Sequence, residues 1–179
     1  KIKHETDVYF CIHSLAEPRV WNATKTDWKT GEPGAYEIRT QRNMLLGRAL
    51  FFDIDVGDKD GKYPSQAAAL TGLKAFVQAT GVPKPFVSSS GGGLHVFWPL
   101  ESAVTSNEDW LGYANKLKRL ALHYNLLVDP SRTTDTASVL RVPGTFNLKD
   151  REHPRPVQLL TSSNPTGNQE MMRLLDEAL

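Results

Sequence analysis

Cysteine is nearly absent: Cys11 stands alone among 179 residues. One thiol excludes an intrachain disulfide and any cysteine-based zinc site, and it fits a reducing compartment. An excess of one charge is missing too. Lysine and arginine number 21, aspartate and glutamate 20, and the net charge is +1. Bulk charge therefore announces no polyanionic partner, and any basic surface must be local. Apolar runs fall far short of the ~20 residues that a membrane span needs, and no signal peptide is visible. Repeats and low-complexity tracts are also lacking. What remains, 40% apolar and 23% charged residues, is an ordinary globular composition, which excludes collagen-like and disordered chains. The length suits one domain with a real core. Residues 1–179 are expected to be that single domain, excised from a longer protein, because the chain starts at Lys1 and stops at Leu179 inside a helical pattern.

Turn signals and periodicity order the chain. Residues 8–12 read as a short strand. Residues 17–48 are polar, with Pro18, Gly31, Pro33 and Gly34 as turn signals. They carry six basic residues (Arg19, Lys25, Lys29, Arg39, Arg42, Arg48) against four acidic ones, with Trp21, Trp28 and Tyr36 interleaved. This is either a solvated loop region with a few anchoring rings or a face where bases stack and cations meet phosphate. Residues 49–56, ALFFDIDV, read as a strand. Ser65 caps a helix through Thr80, with Ala69, Leu70, Leu73, Phe76 and Val77 on one face and Gly81 and Pro83 as its stop. Residues 85–88 and 94–100 read as strands around a glycine loop. Ser106 and Asp109 form a capping box before a helix with Trp110, Ala114, Leu117, Ala121 and Tyr124 on one stripe. Residues 125–129, 138–142 and 156–161 read as further strands, and residue 169 opens a last helix. Strands and helices mix without strict alternation, which favours an α+β fold: a mainly antiparallel sheet with flanking helices.

Three stretches carry chemistry. In Asp53-Ile54-Asp55, strand alternation points both carboxylates to one face, about 6.6–7 Å apart along the chain, while Phe52, Ile54 and Val56 point into a core. Adjacent carboxylates repel, and a divalent cation such as Mg²⁺ or Mn²⁺ relieves that repulsion; two solvated aspartates at a strand end are the plain alternative. In Ser90-Gly91-Gly92-Gly93-Leu94-His95, the glycines let backbone approach a ligand and expose N–H groups to phosphate. His95 faces the same way as Phe97, opposite Leu94, Val96 and Trp98. A flexible hairpin turn with a half-buried histidine is the alternative there. No Gly-Lys-Ser/Thr follows, so the loop is not a P-loop. In the third stretch Asp129 ends the apolar run Leu126-Leu127-Val128. Arg141 then interrupts an apolar strand, either to reach phosphate or merely to snorkel to solvent or pair with an aspartate. Pro143-Gly144 is a turn that either simply reverses the chain or presents Asn147 and Lys149 inward.

Taken together, the order and spacing of Asp-x-Asp, Ser-Gly-x-Gly-x-His, an apolar run ending in Asp, and Arg-Val-Pro-Gly-Thr-x-Asn-x-Lys resemble the archaeo-eukaryotic primase superfamily. More narrowly, they resemble the primase-polymerase domains of phages, plasmids and related mobile elements. The resemblance spans about residues 49–149. It implies an RRM-like catalytic core that transfers nucleotides on a single-stranded DNA template and primer, using NTPs or dNTPs. Two divalent ions, Mg²⁺ or Mn²⁺, would be held by Asp53, Asp55 and Asp129. Ser90, Gly91, Gly93 and His95 would hold the triphosphate, with Arg141 and Lys149 near its phosphates. Asp135 competes with Asp129 for the third acid; the apolar run before Asp129 favours the latter. The resemblance also implies a cytoplasmic setting, in a bacterial or archaeal host or a phage-infected cell, and a helicase or other replication domain as a partner in a longer chain. Two other readings stay open. Metal-dependent sugar-nucleotide glycosyltransferases also use Asp-x-Asp after an apolar strand. A degenerate primase-like module would bind single strands without catalysis.

Overall fold

The computed structural model describes residues 6–179. Its centre is two long strands, β5 (Met44–Ile54) and β7 (Leu94–Val104), paired antiparallel. β6 (Phe86–Ser89) joins β7, and β11 (Gln158–Thr161) and β2 (His13–Leu15) form the two edges. The order is β11-β6-β7-β5-β2, and every neighbouring pair is antiparallel. The α+β expectation therefore holds.

Register sorts the side chains. Leu50, Phe52 and Ile54 stand opposite Trp98, Val96 and Leu94, and all six are buried. Helix α1 (Gln66–Thr80) covers this face, with Phe76 edge-on to Phe52 at 5.8 Å and to Trp98 at 6.5 Å. The expected caps of α1 are both present. The Ser65 hydroxyl accepts from the Ala68 N–H at 3.1 Å, and Gly81 takes the left-handed conformation, φ 69°, that ends a helix. Helix α2 (Asn107–His123) is capped by Ser106 and buries Trp110, Ala114, Leu117, Leu120 and Ala121. Helix α3 (Asn168–Glu177) buries Met171 and Leu175.

Four expectations change. The strand at 8–12 is split into β1 (Tyr9–Cys11), paired with β8 (Val139–Arg141), and β2 in the main sheet. The polar stretch 17–48 is a hairpin, β3 (Val20–Thr26) with β4 (Pro33–Glu37), followed by the start of β5. The strand at 156–161 is divided between β10 (Arg155–Pro156), which pairs with β9 (Phe146–Asn147), and β11. Residues 125–129 form no strand. Asn125 has a positive φ of 54°, and the Leu126 N–H returns to the Ala121 carbonyl at 2.9 Å, so the segment closes the end of α2. Among the described residues no helix is long and apolar enough to cross a membrane.

Candidate active site

The face of the sheet opposite α1 carries a cross-strand row of polar residues. Asp53 of β5 stands opposite His95 of β7, which stands opposite Ser88 of β6. Ser88 is 0% and His95 3% exposed. The Ser88 hydroxyl and His95 Nδ1 are buried with no hydrogen-bond partner. Folded proteins pair nearly all such atoms, so this row points to a site rather than to a packing role. Burial is the largest influence on Asp53, followed by the charges of Asp55 and Asp129; together they push its carboxyl up to about 6. Burial, helped by the positive charge of Arg141, lowers His95 to about 4 and keeps its ring neutral.

A cavity of about 160 Å³ opens over one end of this row. It gathers Asp53, Asp55, Ser90, His95, Arg141 and Lys149, all sequence candidates, from separate segments of the chain. A second cavity of about 530 Å³ shares Asp53, His95 and Arg141 and adds Tyr9, Arg39 and Arg132. Asp55 lies just past the end of β5 rather than on it, yet shares the first cavity with Asp53.

The glycine loop is held by its surroundings. A Cβ on Gly93 would sit 2.1 Å from the Ile54 carbonyl oxygen, and one on Gly91 2.7 Å from Asn147 Cβ. Gly91 also has a φ of 76°, in the left-handed region. These two glycines let the loop approach β5 and β9, while Gly92 is the one that lines the cavity. Asn147 donates its side-chain amide to the Ser90 carbonyl at 3.0 Å and accepts from the Lys149 N–H at 3.1 Å. The Pro-Gly turn thus brings both Asn147 and Lys149 to the cavity.

Arg141 is engaged on its outer side. It pairs with the Asp7 carboxylate at 3.0 Å and donates to the Tyr9 hydroxyl at 3.0 Å. Burial works to raise Asp7, but the Leu148 N–H and the Arg141 guanidinium outweigh it and hold that carboxyl below its ordinary value.

Asp129 is placed by its backbone, whose N–H donates to the Asp53 carbonyl at 2.8 Å. Its carboxylate accepts from the Ser131 N–H and hydroxyl at 2.9 and 2.6 Å and from the Arg132 N–H at 3.3 Å. Burial opposes ionisation of Asp129, but these donors prevail and lower it. Asp135 instead accepts from the Ser138 hydroxyl at 2.7 Å and from the Ala137 N–H at 3.0 Å. Neither Asp129 nor Asp135 lines the two cavities.

Oxygen donors alone suit Mg²⁺ or Mn²⁺. The Asp53 carboxylate, raised by burial and by its acidic neighbours, and Asp55 beside it fit that demand. Among the described residues, however, no group of three His, Cys, Asp or Glu side chains is placed to hold one ion. The fit is thus to a carboxylate pair, with Asp129 committed to its own turn.

Sequence reasoning missed Lys62 and Arg155, which line the same cavity. Lys62 lies in a loop and Arg155 on the two-residue strand β10, and neither has a spacing that singles it out. The hairpin exposes Trp21, Trp28 and Tyr36, Trp28 to 87%. Arg19 lies over the Tyr36 ring at 5.1 Å and Lys29 over the Trp28 ring at 5.3 Å.

In its sheet and flanking helices the chain has the fold of a solved archaeo-eukaryotic primase (AEP) domain. The likeness is to the AEP domain of the cyanophage S-2L primase-polymerase (PrimPol), PP-N190, with a TM-score of 0.57 and 20% identity. It covers 78% of this chain and 66% of that one, so the chain spans just under two thirds of that domain's length. At such identity the likeness is one of fold. No protein-family model matches the chain, and no curated protein matches it in sequence.

Proposed function

We propose that the chain is a single primase-polymerase catalytic domain that transfers nucleotides on a single-stranded DNA template and primer. The observation that carries this reading is the cavity over Asp53 and His95. Two carboxylates, a buried imidazole, a glycine loop and several cations converge there from distant segments. Metal-bound triphosphate chemistry needs that mixture: acids for the ion, cations and N–H groups for the phosphates.

Asp53 and Asp55 would hold Mg²⁺ or Mn²⁺, with Asp129 the third acid once its side chain leaves the Ser131 turn. The ion supplies polarisation of the phosphates and of the attacking hydroxyl. The chain's own residues do the rest. His95, neutral near pH 7, donates a hydrogen bond to a phosphate oxygen from a site that excludes water. Ser90 and the backbone at Gly91, Gly92 and Gly93 position the triphosphate. Arg141, clamped by Asp7 and Tyr9, keeps its charge fixed beside Asp53 and His95. Lys149 offsets charge on the leaving group. The template lies along the hairpin, where Trp21, Tyr36 and Trp28 offer stacking faces; Arg39, just past β4, leads from the hairpin to the larger cavity.

Primer extension and de novo priming on single-stranded DNA test this, with NTPs or dNTPs and Mg²⁺ or Mn²⁺. Incorporation that requires template, triphosphate and divalent ion is the expected result. Turnover of sugar nucleotides in its place would support a glycosyltransferase. The turn that occupies Asp129 favours a second reading, binding without catalysis; single-strand and nucleotide binding with no product would establish it.

A further inference from the structure

We propose that Lys62 exchanges partners: it neutralises Asp55 in the ligand-free protein and moves onto the phosphates of a nucleoside triphosphate when a divalent cation takes Asp55. Cation and nucleotide then bind cooperatively. The inference rests on the nucleotidyl-transfer reading of the cavity.

The Lys62 ammonium pairs with Asp55 Oδ2 at 2.7 Å and lines the cavity with His95, Lys149 and Arg155. Its backbone is fixed. The Gly57 N–H donates to the Tyr63 carbonyl at 2.9 Å, the Tyr63 N–H to the Asp55 carbonyl at 3.2 Å, and the Lys62 N–H to the Lys59 carbonyl at 3.3 Å. Tyr63 anchors this loop to α1, where a Cβ on Gly72 would lie 2.4 Å from the tyrosine oxygen. The Tyr63 hydroxyl also accepts from the Leu127 N–H at 3.4 Å. The loop therefore holds its place, and only the flexible four-carbon stem of Lys62 is free to swing.

A divalent ion on Asp55 meets the ammonium as a like charge, which disfavours both in one place. The lysine then needs another anion. Among the described residues the only anions lining the cavity are Asp53 and Asp55, and both are taken by the ion. A triphosphate brought in with the ion supplies the missing partner. Metal alone is thus opposed by Lys62, while metal with nucleotide is favoured by it. By linkage each ligand strengthens the other to the same degree.

Mn²⁺ binding, followed by electron paramagnetic resonance with and without a non-hydrolysable nucleoside triphosphate, tests the exchange on wild type, Lys62→Met, Lys62→Arg and Asp53→Asn. Lys62→Met is expected to bind Mn²⁺ alone about three- to tenfold more tightly. The enhancement of Mn²⁺ binding by nucleotide should shrink by a similar factor, and Lys62→Arg should restore it. Circular dichroism and melting confirm that each variant folds. Unchanged or weaker Mn²⁺ binding by Lys62→Met, with Asp53→Asn abolishing it, overturns the exchange and leaves the metal reading standing. Unchanged Mn²⁺ binding by Asp53→Asn overturns both.

Discussion

Asp53 and Phe51 lie two positions apart on one strand, and the same step relates His95 to Phe97 and Ser88 to Phe86. The pairings place Phe51 opposite Phe97 and Phe97 opposite Phe86. One sheet face therefore carries two adjacent rows on the same three strands, one aromatic and one ionisable. In the aromatic row Phe86 meets Phe97 edge-on at 5.7 Å, and Phe10 of β1 covers Phe97 at 6.1 Å. Every group there is satisfied by contact alone. The neighbouring row buries a carboxyl displaced to about 6, a ring displaced to about 4 and an unpaired hydroxyl. Burying polar groups without partners opposes folding. The aromatic row and the α1 face must therefore supply the stability that lets the polar row exist.

The largest way to break this contrast is Phe51→Ala. Phe51 is fully buried, so its truncation should cost about 3–5 kcal/mol of stability. Chemical denaturation would measure the loss, and a loss near zero would mean that the aromatic row is not the support. One step along the strand, Asp53→Asn should do the reverse. Incorporation should fall by a hundredfold or more, on the order of 3 kcal/mol, while metal-free stability holds or rises. Asp55→Asn should lose activity similarly. Extension by either variant above a few per cent of wild type would remove that residue from the metal site.

Much of this contrast was legible in the sequence, and the illegible part has physical causes. Period-2 alternation in ALFFDIDV and in LHVFW put Asp53 and His95 on the non-core faces of their strands, and the Ser65, Gly81 and Ser106 signals bounded the helices. These are local patterns. That Asp53 stands opposite His95, and His95 opposite Ser88, is a matter of register between distant strands, which no local pattern states. Asp129 is the instructive case. Three apolar residues, Leu126 to Val128, read as a strand, but in the structure they form irregular chain that follows the end of α2. Asp129 reaches the end of β5 through its N–H bond to the Asp53 carbonyl, a contact with no sequence signature. Lys62 and Arg155 were hidden for the same reason: loop geometry brings in the first and the pairing of β10 with β9 the second.

A smaller effect sharpens the comparison through pH. The Asp53 carboxyl has an ordinary value of 3.8 and is raised to about 6 in the fold. Between those values the folded state binds more protons at Asp53 than the unfolded state. Its contribution to stability therefore falls as pH rises from about 4 to 6. The buried histidines act oppositely. Burial lowers both His95 and His13 from 6.5 to about 4, so their contributions grow as pH rises across that interval. Subtracting wild type from Asp53→Asn cancels the histidines to first order. In chelator, the stability advantage of Asp53→Asn should widen by roughly 1–3 kcal/mol between pH 4 and 6 and stay constant above. Melting curves across that range check it. An advantage that shrinks with rising pH would show that the Asp53 carboxyl is not strained by burial.

The smallest expected effect is at Ser88, and it separates the two rows most finely. Its hydroxyl is fully buried and unpaired, opposite a ring whose Nδ1 is also unpaired. Against the aromatic row, where Phe86 holds the equivalent place on β6, the hydroxyl has no packing purpose that a methyl group would not serve. If burial is its only consequence, Ser88→Ala removes an unsatisfied group and should raise stability by at most about 1 kcal/mol, with incorporation changed less than threefold. That is the expected outcome, because the fold places the ring between Ser88 and Asp53 and fixes it without a hydroxyl bond. A tenfold loss of nucleotide affinity at unchanged or higher melting temperature would reverse the assignment. Ser88 would then be a positioning residue, bonded to His95 Nδ1 when ligand is bound and setting which ring nitrogen faces the phosphate. A Ser88→Thr variant that recovers affinity, as Ser88→Ala does not, would identify the hydroxyl itself as the cause.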